Sequence, residues 1–493
     1  MAQHGCDARS TRAPGGATGR PHWLAHVLLL GLSACIGACA SLPTFVPDLA
    51  RRAARDAPPV QLTGPRGPLS PAQSKAVLER LSGTARDSDI FERHLAVEEA
   101  VAGAPLTIGN DVVLLEDGPN TYRAMLAAIE SARDHINLET YILEDDDVGR
   151  AFAQALVAKQ RSGVQVNLMH DSVGTLKTPH GYFEGLQAAG IAVLEFNPIN
   201  PLLARKEWEL NQRDHRKLLV VDGRTAFLGG INISSVYSSG SSGTRGSGAG
   251  TSAAAQRLGE RASGPPWRDT DLQLRGPVVA DLQKLFIDAW VAQKGPALAP
   301  RNYFPPPETA GRQVVRAIGS KPDEAYSQIY ATLLSAIGSA EKTVWLTNAY
   351  FAPDPQLLSA LTQAVARGVD VKLILPSQTD SWLVFHAGRA YYSGLLKAGV
   401  QIYERRGAIL HAKSALIDGV WATVGSTNLD WRSFLHNHEL NAVVLGEGFG
   451  RQMQAMFERD LAASEAVTLA HWRKRSPALR LKELFARAWE YWL

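Results

Sequence analysis

Cysteine is almost missing from this 493-residue chain: Cys6, Cys35 and Cys39 are the only three, and no thiol follows residue 39. A disulfide scaffold and a zinc–cysteine site are thereby excluded from the main body. A net charge of one sign is lacking too. Lys+Arg 51 against Asp+Glu 48 leaves +3, which argues against a polyanion-coating protein while leaving room for a local basic site. The apolar stretch from Trp23 to about Ala40 is broken by His26 and falls short of the ~20 residues that a spanning helix needs. What remains is 45% hydrophobic and 20% charged, a globular composition, and at ~150 residues per domain the length fits two to four domains.

The amino terminus follows an export pattern. Arg9, Arg12 and Arg20 precede the apolar stretch, and small residues end it. Two lipoprotein-like boxes follow, Leu32-Ser33-Ala34-Cys35 and Ile36-Gly37-Ala38-Cys39. A small residue before Cys admits the signal peptidase, and the sulfur then carries a diacylglyceryl group. Cys39 is the preferred lipidation residue, because Ala-Ser-Leu-Pro after it reads as the start of a mature arm. The alternative is an uncleaved apolar anchor. Both readings place the chain in the bacterial cell envelope at a membrane surface, facing the periplasm if lipidated, with inner or outer membrane left open.

Residues 1–39 are thus a signal segment and 40–104 a Pro- and Arg-rich arm with helical pieces. Ser70-Pro71 predicts a capped helix to about Leu81. From about 105, strands and helices alternate: Ile136–Tyr141, Val148–Arg161 and Val164–Met169 in one half, Val344–Tyr350, Leu357–Arg367 and Val369–Leu375 in the other. That predicts an α/β class. The halves, 105–304 and 308–493 with Pro305-Pro306-Pro307 at the junction, carry a repeat. HRKLLVVDGRTAFLGGIN (215–232) aligns without gaps to HAKSALIDGVWATVGSTN (411–428), 196 residues on. Asp269 and Glu439 are only 170 apart, each seven residues before a glycine. The 26-residue difference matches a Ser/Gly/Ala run at 238–264, read as a mobile low-complexity insertion.

Each repeat is an apolar strand, an Asp-Gly turn and a second strand, hence a β-hairpin. His215 and Lys217, like His411 and Lys413, are two apart and share a face. Two hairpins facing across a pseudo-twofold axis make one site with two imidazoles and two ammoniums. With Asn232 and Asn428 the set suits the anionic oxygens of a phosphoryl group. Two histidines can divide the work of nucleophile and general acid. No metal-ligand pattern and no cofactor fingerprint accompanies them. Asp269 and Glu439 are each placed to accept a hydrogen bond from a histidine ring and fix its tautomer.

These residues closely resemble the phospholipase D superfamily, whose signature is a duplicated His-Lys-Asp motif. The resemblance covers about 105–493. NQRDHRKLLVVDG, FLGGINIS and WRDTDLQLRGPVV in the first half, and LHAKSALIDG, VGSTNLDWRSF and NHELN in the second, resemble bacterial cardiolipin synthases. The lipoprotein-like start resembles their C-type branch; the Ser-rich run after Asn232 departs from it. The resemblance implies two pseudo-twofold-related domains, each a mixed β-sheet flanked by helices, with one active site at their interface. It implies that His215 attacks phosphorus to form a phosphohistidine, and that His411 protonates the leaving alcohol and deprotonates the incoming one. Lys217, Lys413, Asn232 and Asn428 would hold the non-bridging oxygens. Asp222 and Asp418, the third members of the motif, would pair within the fold. Metal independence is part of the same implication.

The implied activity is transfer of a phosphatidyl group, with phosphatidylglycerol plus a second phospholipid giving cardiolipin. Water as acceptor would give phosphatidic acid instead. A nuclease of the same superfamily is the third reading; the export signal and near-neutral charge speak against nucleic-acid partners. Ser433 is a further candidate for the phosphate site. His170, Asp171, His436 and His438 read as packing or pocket-edge residues. The tail after HWRKR (471–475) is amphipathic and reads equally as a membrane-surface helix or a closing helix packed on the second domain.

Overall fold

The computed structural model describes residues 60–83, 90–200, 209–241 and 265–490. The signal segment with Cys35 and Cys39, and residues 242–264 of the insertion, lie outside the described residues.

The repeat is a repeat of sheet order. In the first half Leu106–Glu116 pairs antiparallel with Thr270–Arg275, which pairs with Thr225–Gly229, then Leu218–Val221, then His135–Thr140. Gln165–Asp171 and Ala192–Phe196 continue the sheet in parallel. The second half runs Gln313–Ser320, Asn437–Leu445, Trp421–Gly425, Lys413–Ile417, Thr343–Asn348, Asp370–Pro376, Gln401–Arg405 with the same senses. The parallel pairs need helical crossovers, and the helices Asp147–Arg161 and Pro355–Ala366 supply the equivalent ones. Asp146 and Asp354 start them, Asp146 accepting from the Gly149 N–H and Asp354 from the N–H groups of Gln356 and Leu357.

The halves are not separable bodies. Leu106–Glu116 also pairs with Gln313–Ser320 of the second half. One apolar cluster contains Leu218, Val220, Ala226 and Leu228 from the first hairpin and Leu416, Ala422 and Val424 from the second. Strands buried on both faces explain why these segments read as aliphatic runs rather than as alternating patterns.

The arm is docked rather than loose in its second part. Pro71–Ser82 is a helix closed by a capping box between Ser70 and Gln73. In Leu95–Val101, Glu98 is fully buried, 3.4 Å from Arg316, and accepts a hydrogen bond from the Trp421 indole at 3.1 Å. Pro305 packs over the first hairpin turn, where a Cβ on Gly223 would lie 2.6 Å from its Cδ.

Candidate active site

Both hairpins turn as the sequence predicts. Asp222 and Gly223, and Asp418 and Gly419, all have positive φ and open three-residue loops, between Val221 and Thr225 and between Ile417 and Trp421. The Asp222 carboxylate accepts from the N–H groups of Arg133, Asp134 and His135 at 2.8–3.0 Å. Asp418 does the same for Glu341, Lys342 and Thr343 at 2.8–3.0 Å. Each therefore ties its hairpin to the start of a neighbouring strand, away from the cavity.

The two short parallel bridges between halves decide the geometry of the histidines. Arg213–Asp214 pairs with Asn437–His438, and Trp267–Arg268 pairs with Ile409–Leu410. One residue further along each bridge, His215 stands opposite Glu439 and His411 opposite Asp269. His215 Nδ1 lies 3.1 Å from both Glu439 oxygens, and His411 Nδ1 lies 2.7 Å from Asp269 Oδ2. Each carboxylate thus serves the histidine of the other half. Nε2 of each ring points away from its carboxylate, and both rings line one cavity of about 360 Å³. Tyr141, Tyr237, Trp267 and Tyr350 complete its aromatic wall.

The two imidazoles sit in different electrostatic surroundings. Burial, then Lys217 and Lys413, hold His215 well below the ordinary imidazole range. It is therefore a neutral ring with a free lone pair, the form a nucleophile needs. Burial pushes Glu439 up to about 7, against the pull of Lys217. Burial alone would raise Asp269 as well, but His411 and Lys413 outweigh it and keep it a carboxylate. Burial and Lys413 lower His411, while Asp269 works the other way. The pair His411–Asp269 is thus the better holder of a proton, and His215–Glu439 the better holder of a lone pair.

The lysines are buried, and neither lines the cavity wall. Lys217 donates to the carbonyl of His215 and sits 5.3 Å from the Tyr141 ring; Lys413 donates to the carbonyl of His411, with Nζ 2.9 Å from the ring Nδ1. Burial brings Lys217 down to about 7 and Lys413 to about 8. Asn232 and Asn428 do line the cavity. Asn232 is already engaged: Oδ1 accepts from the Ile142 N–H at 3.1 Å and Nδ2 donates to Tyr237 Oη at 3.0 Å. Asn428 donates its backbone N–H to Ser433 Oγ at 3.2 Å, and the Ser433 side chain also hydrogen-bonds Glu439. His170 stacks on Phe183, and His438 packs edge-on against Phe196, both as packing residues.

The repeated glycines have a steric cause. A Cβ on Gly229 would lie 2.0 Å from Asp271 Oδ1, and one on Gly425 would lie 2.2 Å from Asn441 Oδ1. Gly230 backs directly onto Asp269, where a Cβ would come within 2.2 Å of Oδ1. Tyr141, Arg213, Tyr237, Tyr350, Asp380 and Arg432 escape a reading of the sequence. Arg213 has the one available signal, its place two residues before a motif histidine on the same face.

A family model described as "Cardiolipin synthase, PLD-like domain" matches residues 125–239 and 333–461, a span that includes both hairpins. The cardiolipin synthase of Geobacillus kaustophilus is 33% identical over 386 residues, covering 78% of this chain and 72% of its own. Cardiolipin synthase 2 of Bacillus cereus is 35% identical over 372 residues, covering 75% and 68%. A solved phosphatidylserine synthase from Haemophilus influenzae shares the fold, with a TM-score of 0.59 at 13% identity, covering 80% of this chain and 99% of that one.

Proposed function

This chain belongs to the cardiolipin synthase family of phospholipase D-like proteins, and from that membership we propose that it is a phosphatidyltransferase joining two phospholipids into cardiolipin through a phosphohistidine. One observation carries the reading: two imidazoles, each oriented by a buried carboxylate from the opposite half, border a single cavity. His215 Nε2 attacks the phosphorus of the donor and the bond to the leaving alcohol breaks. His411 gives that alcohol its proton. The incoming glycerol hydroxyl then transfers its proton back to His411 as its oxygen displaces His215. Each ring gains positive charge at one stage, and Glu439 and Asp269 stabilise it there. Lys217, Lys413, Asn232 and Asn428 supply the positive and amide groups for the non-bridging oxygens, the lysines by swinging from the histidine carbonyls they now hold. Among the described residues no group of three His, Cys, Asp or Glu side chains is placed to hold a metal ion.

Attachment to a membrane belongs to the same reading. Cys39 is the proposed lipid anchor. No helix among the described residues is long and apolar enough to cross a membrane. The last helix, Pro477–Arg487, offers a second contact. It buries Glu483 and Ala486 against the helix Trp382–Arg389 and turns Leu481, Leu484 and Phe485 outward, 67%, 66% and 55% exposed. Trp382 and Trp489 flank Phe485 at 6.4 and 6.5 Å between ring centroids. Arg473, Lys474, Arg480, Lys482 and Arg487 are exposed around this strip, which suits an anionic lipid surface. Ser381 and Val384, beside Trp382, line the catalytic cavity. The strip therefore adjoins the entrance that a lipid headgroup would use.

The test is product analysis with labelled phosphatidylglycerol vesicles, with and without phosphatidylethanolamine. Cardiolipin is the expected product, lost in both H215A and H411A and retained with EDTA. Phosphatidic acid alone would replace this reading with a hydrolytic one.

A further inference from the structure

The cavity wall carries charge of both signs. Two carboxylates line it: Asp380, which accepts from Tyr350 Oη at 2.7 Å, and Asp430, which caps the short helix that carries Arg432. It is also lined by two guanidiniums that the His-Lys-Asp chemistry does not employ, Arg213 and Arg432.

Arg213 is 1% exposed. One terminal nitrogen donates to Ser172 Oγ at 2.7 Å and to the Asn197 carbonyl at 3.1 Å. Its Nε and its other terminal nitrogen have no hydrogen-bond partner among the described residues. Asp171 lies 3.7 Å away but is committed elsewhere, accepting from the N–H groups of Val173 at 2.8 Å and Asp214 at 2.9 Å. Arg432 comes from the short helix Trp431–Leu435 and is braced by Asn211 at 3.2 and 3.3 Å. Burial lowers the Arg213 pKa, Asp171 opposes that, and the charge of Arg432 lowers it further. Buried donors without acceptors, beside a second like charge, are costly unless an anion sits among them.

The transferring phosphoryl group is bound at the two histidines, so a second anion must come from another part of the substrates. In the proposed reaction the attacking hydroxyl belongs to a glycerol whose far end carries its own phosphodiester. We propose that Arg213 and Arg432 form a second phosphate subsite, which holds the acceptor lipid's phosphodiester while its glycerol hydroxyl attacks the phosphohistidine. The step conserves atoms: an O–P bond forms, the P–Nε2 bond to His215 breaks, and the hydroxyl proton goes to His411. Arginine suits the task because its planar fork meets two phosphate oxygens at once. The subsite rests on the transferase reading and adds to it a reason for choosing a phosphorylated alcohol over water or free glycerol.

The experiment uses the full chain in mixed micelles, phosphatidylglycerol as donor, and two soluble acceptors: glycerol and glycerophosphoglycerol, the deacylated headgroup. The quantity read is the ratio of transfer to the two. R432A is expected to lower the ratio about tenfold, as loss of one charge-assisted hydrogen bond implies. R213K, which keeps the charge but loses the fork, should lower it as well. A ratio within twofold of the wild type in R432A overturns the subsite, whatever happens to the more deeply buried Arg213 variant. A third arm adds inorganic phosphate at the concentration of glycerophosphoglycerol; phosphate that competes fully would make this a free-anion site and overturn the assignment to the acceptor. If the wild-type chain transfers to neither acceptor and yields only phosphatidic acid, the transferase reading itself fails, an outcome distinct from an unchanged ratio.

Discussion

Asp269 and His411 are 142 residues apart and 2.7 Å from each other, and the bridge that joins them is a parallel pairing of Trp267–Arg268 with Ile409–Leu410. His215 and Glu439, 224 residues apart, are joined by its pseudo-twofold equivalent. The two halves exchange carboxylates.

Removing one exchanged group should damage catalysis without unfolding the site. E439Q and D269N keep the shape but lose the negative charge that fixes the tautomer and stabilises the cationic ring. Each should lower kcat by roughly 10²–10⁴-fold. The rate of cardiolipin formation at saturating lipid is the measurement, and a loss under threefold in both would show the carboxylates to be structural.

The lysines set an expected pH dependence. In the free enzyme Lys217 is brought down to about 7 and Lys413 to about 8. Both are charged below those values and lose the charge as pH rises through them. Catalysis that needs the ammoniums should therefore show kcat/KM falling on the alkaline side from about pH 7 to 8. K217R, charged throughout, should move that limb to higher pH.

Asp222 and Asp418 should matter for stability. D222A leaves three backbone N–H groups without their acceptor and puts Ala at a positive φ. The expected cost is about 3 kcal/mol, and D418A should cost the same by symmetry. Denaturant midpoints measure it; a change below about 0.5 kcal/mol would contradict the tethering role.

The exposed strip on the last helix should decide vesicle binding. Changing both Leu484 and Phe485 to Glu should lower turnover of anionic vesicles relative to a short-chain monomeric lipid. Flotation with anionic and zwitterionic vesicles separates charge from apolar insertion. Equal turnover ratios in variant and wild type would mark the helix as a plain domain closure.

Much of this was legible before any coordinates. The hairpins read directly because gapless spacing fixes them and Asp-Gly fixes the turn. Both crossovers fell within a few residues of their observed ends for the same reason, clear aliphatic strands with capped helices between. Asp269 and Glu439 were visible as partners of the histidines, but not which histidine each would serve. That depends on two-residue strands such as Arg213–Asp214, too short to leave a periodic signal. The lysines were expected among the groups facing the phosphate, yet they rest on the histidine carbonyls, a contact that a shared strand face does not forbid. Arg432 could not have been foreseen, because its position depends on where a short helix of one half meets the loop around Asn211 of the other.

The exchange of carboxylates ties chemical competence to assembly. A chain with only one half folded retains an imidazole but not the acid that orients it, so no working half-enzyme exists along the way. Neither imidazole has its acid until both halves are in place, so the chemistry switches on as one unit.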